Sequence, residues 1–269
     1  MDVLRKKIGL LTFSVGLCVL AGAQDKKFEN LSIDRPDVSN LPTTVLPNHY
    51  QFELGAEWGR SDFIHEFSAP NLLFRTGLNR KSELRVGFTS TSIDSVEKKW
   101  NDKTLITTLS VKYRILEEKN GRPSVAIQPE FSLPFGDGKN VSQTEANFTL
   151  MNYSLIFLFN NTLHKKVFFN YNTGILWNKS GEVDYLLSTS TSFAHTHRLG
   201  YFLEVYSIFN SHEYPLSIDG GVTYLLRPRF QFDLYAGNRH AEGYRFWFYG
   251  AGVGFRLDPE SFNKTAVNR

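Results

Sequence analysis

Charged side chains recur at alternate positions in several segments of this 269-residue sequence, and apolar or aromatic residues fill the positions between them. Alternate residues of a strand point to opposite faces, so the charges share one face and the apolar residues the other. We predict inward bases on the second to fourth segments: Arg75, Arg85, Lys112 and Arg114. The inward acids of the ninth to eleventh segments are Glu204, Asp219 and Asp233.

These two groups of charges differ in their expected partners. Four carboxylates lie on or beside the basic group and can form ion pairs across neighbouring strands: Glu53, Glu57, Glu83 and Glu130. The acidic group has one nearby base on its own face, Arg256. Because uncompensated charge in a narrow interior is costly, the acidic group needs water or a counter-charge from elsewhere in the chain.

Catalytic and metal chemistry find little support in the sequence. His195 and His197 form its only close pair of histidines, and no third metal ligand is obvious beside them. The single cysteine, Cys18, lies in a segment that we expect to be removed, which excludes disulfide and thiolate chemistry. We predict no catalytic residue, no metal site and no cofactor. A lipid hydrolase that uses one of the two histidines is kept as an alternative.

Strands are needed to position these side chains, and twelve segments show the alternation typical of strands. We predict them at residues 49–59, 71–78, 83–88, 104–116, 124–135, 147–160, 167–177, 184–193, 199–209, 217–226, 230–237 and 244–257. An even number of strands returns both chain ends to one side. If that side is the periplasm, the turns near Asn79, Glu117, Asn161, His195 and Arg227 are periplasmic and the longer loops lie outside.

The last segment, residues 244–257, is the most informative about the fold. From Trp247 to Leu257 alternate residues are apolar. Gly250, Gly252 and Gly254 lie on the other face and leave it without side chains at these positions. Aromatic residues cluster towards both ends of the apolar face, as expected where a strand meets two membrane–water interfaces. We therefore predict an all-β fold, a transmembrane antiparallel up-and-down β-barrel of about twelve strands, with this segment as the closing strand.

A soluble β-sandwich is the alternative fold, because its strands also alternate. Its water-facing positions should carry Lys, Thr and Glu, whereas this sequence places Phe, Tyr, Trp and Leu there. The alternation therefore favours contact with lipid.

The N-terminus predicts export. Three basic residues, an apolar run and Ala21-Gly22-Ala23 form a signal peptide, residues 1–23, cleaved after Ala23. A proline-interrupted leader, residues 24–47, precedes the barrel at residues 48–257 and a polar periplasmic tail at residues 258–269. The signal removes more bases than acids from totals of 30 and 27. The mature chain is therefore nearly neutral, unlike nucleic-acid-binding proteins with their basic excess.

Several motifs, in their order and spacing, resemble one known family. They are Leu31-Ser-Ile-Asp-Arg-Pro-Asp37, Tyr50-Gln-Phe-Glu-Leu-Gly55, Leu72-Leu-Phe-Arg-Thr-Gly-Leu78, Glu83-Leu-Arg-Val-Gly87, Asp219-Gly-Gly221 and Gly250-Ala-Gly-Val-Gly-Phe-Arg256. The family is that of the phenol-degradation meta-pathway proteins, or outer-membrane transporter-like β-barrels, and the resemblance covers almost the whole mature chain. It implies an outer-membrane barrel that passes aromatic or other apolar small molecules.

The inward charges lead to a hypothesis for the leader. We expect the leader to fold into the lumen, where Arg35 would meet the acidic group and the closing-strand glycines would make room for it. Its aspartates, Asp34 or Asp37, would meet a base of the second to fourth segments: Arg75, Arg85 or Arg114. The alternative is a loose periplasmic tether beside acids that titrate in a wet lumen.

Apolar side chains at inward positions predict a path for a solute. They are Phe202, Tyr206, Ile208, Tyr235, Phe246 and Phe248, and they could equally pack around the leader. We predict a monomeric passive channel for small apolar or aromatic solutes in outer-membrane lipid. Its partners would be the solute and, during biogenesis, the barrel-assembly machinery, with no nucleic acid. The alternative is a permanently plugged barrel with a structural or surface-interaction role.

Overall fold

The computed structural model describes residues 31–36, 38–96, 101–135, 151–177, 181–241 and 244–257. The predicted signal peptide, the first part of the leader, Asp37 and the C-terminal tail lie outside these residues. Among the described residues, no helix is long and apolar enough to cross a lipid bilayer.

The described chain contains twelve strands, which run in sequence order around one closed sheet. They are β1 (Tyr50–Arg60), β2 (Ile64–Gly77), β3 (Ser82–Ser95), β4 (Asn101–Leu116), β5 (Ser124–Phe135), β6 (Asn152–His164), β7 (Val167–Trp177), β8 (Val183–Ala194), β9 (Leu199–Phe209), β10 (Leu216–Arg227), β11 (Phe230–Ala241) and β12 (Tyr244–Leu257).

The barrel closes where β1 pairs with β12 in an antiparallel register that runs from Tyr50 opposite Leu257 to Arg60 opposite Trp247. Closure removes the unpaired strand edges that an open sheet would expose, as the hydrocarbon region of a membrane requires. The predicted fold class, strand number and closing strand are confirmed. Both ends of the barrel sequence lie at one end of the molecule, which we call the terminal end.

The outer surface of the barrel is apolar. In β12, Trp247 and Tyr249 are exposed while Phe246 and Phe248 are buried, which is the predicted alternation of faces. Trp58 of β1 stacks on Tyr249, with ring centroids 5.8 Å apart, and lies 5.1 Å from the ring of Phe67 on β2. Such an exposed aromatic and aliphatic surface suits lipid as its solvent.

The interior reverses the order found in soluble proteins, because most of the fully buried large side chains are polar. Arg75, Glu83, Lys112 and Glu204 are completely buried on inward positions of β2, β3, β4 and β9. Buried charges are stable only with partners, so the site is defined by the groups inside the lumen that pair with these side chains.

Several strand bounds differ from those predicted. The prediction began the second strand after Pro70, whereas β2 starts at Ile64 and accommodates the proline in a bulge between Ser68 and Asn71. The third strand was predicted to end at Phe88, but β3 continues to Ser95. Its added residues are mostly Ser and Thr, because they lie beyond the apolar stretch on which the prediction relied.

Two connections also correct the sequence prediction. Asn161 lies within β6, not in a turn, because β6 continues to His164 and meets β7 across residues 165–166. At the end opposite the terminal end, where longer loops were expected, β1 and β2 are joined by residues 61–63 alone.

Candidate functional site in the barrel lumen

The described residues 31–36 and 38–47 enter the barrel from the terminal end and return to it, and we call residues 31–47 the leader loop. The hydroxyls of Ser32 and Thr43 lie 2.6 Å apart and link the two arms of the loop. Near the turn, the backbone N–H of Leu41 donates to Asp34 Oδ1 at 3.4 Å. Pro47 then forms a β-bridge to Gly77 at the end of β2, which places the second arm beside the barrel wall.

Asp34 meets three bases of the predicted basic group. Its Oδ2 lies 2.7 Å from Lys112 Nζ and 3.5 Å from Arg75 Nη1, and it also accepts a hydrogen bond from Arg85 Nη1. Arg75 and Arg85 are direct cross-strand neighbours, so their like charges would repel without an anion between them. The leader carboxylate supplies that anion.

Two barrel carboxylates complete the neutralisation of these bases. Glu53 Oε1 lies 2.9 Å from Arg75 Nη1, and Glu83 Oε1 lies 3.0 Å from both Arg75 Nη2 and Arg85 Nη1. Together with Asp34 they balance the three buried positive charges. We call these six residues the charge network: Asp34, Glu53, Arg75, Glu83, Arg85 and Lys112.

Both barrel carboxylates also bind the leader backbone. Glu53 Oε2 accepts from the N–H groups of Asp34 and Arg35 at 3.2 and 3.1 Å, and Glu83 Oε2 accepts from that of Val45 at 2.6 Å. These charge-assisted bonds satisfy N–H groups on both arms, which an irregular segment in a lumen would otherwise leave without partners.

The charge network determines the ionisation of Asp34. Burial alone would raise the pKa of the Asp34 carboxyl, but the charges of Arg75, Lys112 and Arg85 outweigh burial and hold the pKa well below its ordinary value. Asp34 is therefore an anion at neutral pH.

Arg35 points the other way from Asp34, towards the acidic group. Its Nη2 lies 3.6 Å from Asp233 Oδ1 on β11 and donates to the carbonyl oxygen of Ala251 at 3.4 Å. Gly55 and Gly252 face each other on β1 and β12, and a Cβ on either would overlap the guanidinium group. Two residues further along β12, on the same face, Gly254 leaves room for the side chain of Ile33 in the same way.

Glu204 binds the turn of the leader loop. Its two carboxylate oxygens accept from the N–H groups of Val38 and Ser39 at 2.7 and 2.6 Å. The Ser39 hydroxyl donates to Ser188 on β8 at 2.8 Å. The leader loop therefore contacts β2, β3 and β4 through Asp34, and β11 and β12 through Arg35. Its turn contacts β8 and β9.

Other predicted members lie apart from these contacts. Arg114 pairs with Glu117 at 3.2 Å and donates to the carbonyl of Arg80, so it belongs to the terminal rim and does not meet Asp34. Glu130 accepts from Gln128 at 3.4 Å, and Glu57 accepts from the Tyr235 hydroxyl at 2.6 Å. Arg256 is half-buried near the terminal end. Asp37 lies outside the described residues.

The predicted inward aromatic residues occupy one side of the lumen. Phe202, Tyr206, Phe246 and Phe248 are buried and Tyr235 is half-buried, whereas Ile208 is exposed close to the end of β9. The rings of Tyr235 and Phe248 are 6.5 Å apart. Inward glycines make room for these rings: Gly221 for Phe202, Gly237 for Phe248 and Gly250 for Tyr235.

A cavity of about 200 Å³ lies between the leader loop and strands β7–β11. Ile33, Leu41, Phe168 and Phe202 give it apolar surface, and its polar lining comes from Arg35, Asn170, Ser192, Thr223 and Gln231. The cavity has the mixed lining of a small-molecule site, with apolar walls and a few polar groups.

The histidines of the enzyme alternative are not part of the lumen. His195 and His197 are exposed in the connection between β8 and β9. Within the described ranges, no group of three or more His, Cys, Asp and Glu side chains could hold a metal ion.

Apolar contacts and one lysine hydrogen bond that hold the two arms of the leader loop were not predicted from the sequence. Leu31, Ile33 and Val45 are buried, and Lys112 Nζ donates to the carbonyl of Leu41 at 2.7 Å. The alternation of Leu31 and Ile33 is a signal that could have identified a buried extended arm.

Solved structures similar to this chain are outer-membrane barrels. The COG4313 outer membrane channel from Pseudomonas putida F1 has 12% identity and a TM-score of 0.60, covering 84% of this chain and 100% of that one. The NanC porin has 11% identity and a TM-score of 0.53, covering 77% and 100%. The KdgM porin in complex with disordered oligogalacturonate has 12% identity and a TM-score of 0.50, covering 76% and 98%. At these identities the likeness shows the fold alone.

No curated protein matches the chain. A family model matches residues 33–257, from the leader loop to the end of β12, and confirms the resemblance seen in the short motifs. Because this match spans most of the chain, the protein belongs to the family described as "Putative MetA-pathway of phenol degradation".

Proposed function

We propose that the protein is a passive channel for small apolar or aromatic solutes in the bacterial outer membrane. The terminal end, with its short turns, would face the periplasm. Membership of the family and the likeness of the fold to an outer-membrane channel support this proposal. The proposal assigns no enzymatic role to the chain.

The observation that carries the proposal is the lining of the lumen. Phe202 belongs both to the cavity beside the leader loop and to the inward aromatic side of the barrel, which continues through Tyr206, Phe248 and Phe246. A polar pore has no need of such residues, because water and ions gain nothing from an apolar wall. A solute with an apolar body would gain free energy by moving its apolar surface from water to this wall, whereas a sugar would give up hydrogen bonds to water there.

The leader loop would set the narrowest part of this path. It contacts strands on several sides of the lumen through Asp34, Arg35 and Ser39. A twelve-strand barrel has a lumen that side chains and one inserted loop can largely fill. We therefore propose that the position of the loop, more than the barrel itself, limits the size of the solute.

A permanently plugged barrel is the second candidate function. It is favoured by the balanced charge network, because a leader carboxylate that contacts three buried bases is costly to withdraw. Such a barrel would have a structural or surface-interaction role.

Single-channel recording with liposome swelling separates the two candidates. The full mature chain in planar bilayers should give steady conductance, and liposomes should admit benzyl alcohol faster than a sugar of similar size. Replacing Phe202 by Ser should reduce that preference, while replacing Leu203, its exposed lipid-facing neighbour, by Ser should leave it unchanged. Persistent electrical silence and no uptake would overturn the channel and favour the plugged barrel.

The remaining parts of the proposal concern the surroundings of the chain. We propose export by a signal peptide cleaved after Ala23, insertion by the barrel-assembly machinery, and a monomer surrounded by outer-membrane lipid. The exposed apolar band supports lipid contact. N-terminal sequencing of the mature protein and its mass in detergent would test cleavage and oligomeric state.

A further inference from the structure

Two buried carboxylates face each other across neighbouring strands of the lumen wall. Glu204 on β9 and Asp219 on β10 are direct partners in the antiparallel register, and their side chains are 0% and 5% exposed. Like charges at directly opposed positions repel, and burial strengthens the repulsion. The pair therefore needs positive charge or a proton beside it.

The described bases of the lumen have other partners. Arg75, Arg85 and Lys112 are balanced by Asp34, Glu53 and Glu83 within the charge network. Arg35 is directed at Asp233, and the guanidinium of Arg239 lies 5.6 Å from the ring centroid of Phe246. Within the described part of the chain, Asp219 makes no salt bridge.

The two carboxylates differ in the use of their oxygens. Glu204 accepts two N–H groups of the leader loop, so it contributes charge while its oxygens are engaged. Asp219 Oδ1 is buried and has no hydrogen-bond partner in the described structure. A buried carboxylate oxygen without a donor is costly, and this one is directed into the lumen at an inward position of β10.

Aromatic residues are neighbours of Asp219 on the strands to either side of it. Phe202 and Tyr206 are the residues on either side of Glu204 on the inward face of β9, opposite Gly221 and Ser217. Across the other edge of β10, Asp219 is opposite Gly237, and both Asp219 Cβ and the ring of Phe248 lie over that glycine. A buried carboxyl group with aromatic side chains beside it can recognise an organic ammonium group, through ion pairing and cation–π contact.

We propose that Asp219, beside the charge of Glu204, binds the ammonium group of a small amine whose apolar or aromatic body lies against these rings. The inference rests on the proposed function in one respect, because it defines a solute class for the same lumen. A divalent metal is a poorer occupant, since the described residues contain no cluster of three metal-ligating side chains here.

The first test uses the wild-type chain with two ligands of nearly equal shape. Benzylammonium and neutral benzyl alcohol are titrated into the detergent-solubilised mature protein at pH 7, and binding is measured by isothermal titration calorimetry. Benzylammonium should bind about tenfold or more tightly, because a hydrogen bond to a buried charge is worth that factor. Equal affinities, or no binding of either ligand, would overturn the inference.

The second test is a matched pair of variants. Asp219→Asn keeps the shape of the side chain and should lower benzylammonium affinity about tenfold or more. The control, Glu130→Gln, removes a lumen carboxylate on β5 and should leave that affinity within about twofold, because it is not beside the aromatic residues near Asp219. An equal loss in both variants would show that general lumen charge, not this site, attracts the amine. No loss in Asp219→Asn would overturn the assignment of the ammonium group to Asp219.

Channel recordings separate failure of this inference from failure of the proposed function. Benzylammonium binding without conductance would leave the amine site standing in a barrel that does not conduct. Steady conductance with no preference for benzylammonium over benzyl alcohol would leave the channel standing and remove the amine site.

Discussion

Asp34 Oδ2 lies 2.7 Å from Lys112 Nζ, although 78 residues separate the two in sequence. Both side chains are buried, and the same carboxylate contacts Arg75 and Arg85. The contact joins the leader loop to β4, so the basic wall and the loop stabilise one another. Without the loop, three bases would share the lumen wall with two carboxylates.

Replacing Asp34 by Asn should release the leader loop. The change leaves three buried bases with only Glu53 and Glu83, and breaking a buried ion pair from one side costs about 3–5 kcal/mol. Hydrogen exchange of residues 31–47 should become faster, as measured by mass spectrometry. Adding Lys112→Met to Asp34→Asn should restore part of the protection, because it removes a positive charge left without its anion. Unchanged protection in Asp34→Asn would contradict the network.

Arg35→Glu should increase conductance. The change places a carboxylate next to Asp233 and Glu53, and the resulting repulsion should move the first arm of the loop away from β11 and β12. We expect a several-fold rise in single-channel conductance, or a larger fraction of time open. Arg198→Glu, an exposed charge reversal between β8 and β9, is the control and should leave the current as in the wild type. Identical currents in Arg35→Glu and the wild type would show that the loop does not limit the path.

Gly254→Val should displace the first arm of the leader loop without changing any charge. A Cβ at position 254 would overlap Ile33, so a valine fits there only if Ile33 moves. We expect faster proteolysis within residues 31–47 while the barrel keeps its heat resistance in gel electrophoresis. Ala251→Val adds similar bulk to the lipid face of the same strand and should not change the cleavage rate. Equal cleavage in the two variants would argue against close packing of the arm.

The pH dependence of loop binding should carry the signature of Asp34. Its pKa lies below the ordinary value of 3.8 when the loop is bound, because three cations outweigh burial. The contribution of Asp34 is therefore complete above about pH 5 and is lost progressively as the pH falls through 3.8 towards the lower pKa of the bound state.

The measurement is the difference in protection of residues 31–47 between wild type and Asp34→Asn across this range. The facing bases Arg75, Arg85 and Lys112 stay charged in acid, and Glu53 and Glu83 are present in both proteins, so the difference reports mainly on Asp34. A difference that shrinks between pH 7 and pH 5 would contradict the depressed pKa.

Local pattern was enough to predict the barrel wall. The alternation in residues 244–257 identifies β12 and its lipid face because a strand repeats every two residues, whatever its partners are. The same rule placed Arg75, Lys112 and Asp219 inside. It failed where the pattern was interrupted, as at Pro70, because only the pairing of β2 with β3 shows that a bulge absorbs the proline.

Which inward charges meet was decided by the tertiary structure. The sequence determined that bases lie on one group of strands and acids on another. It also placed Arg35, a possible partner of the acids, and Asp34, a possible partner of the bases, in the leader. It could not separate Lys112, which contacts Asp34, from Arg114, which pairs with Glu117 at the rim. Odd or even position along a strand gives the face on which a side chain lies. The depth of that side chain in the lumen depends on the stagger of all the strands in the barrel. The path of an irregular loop depends on contacts between residues far apart in sequence, such as Ser39 and Glu204, which are 165 residues apart.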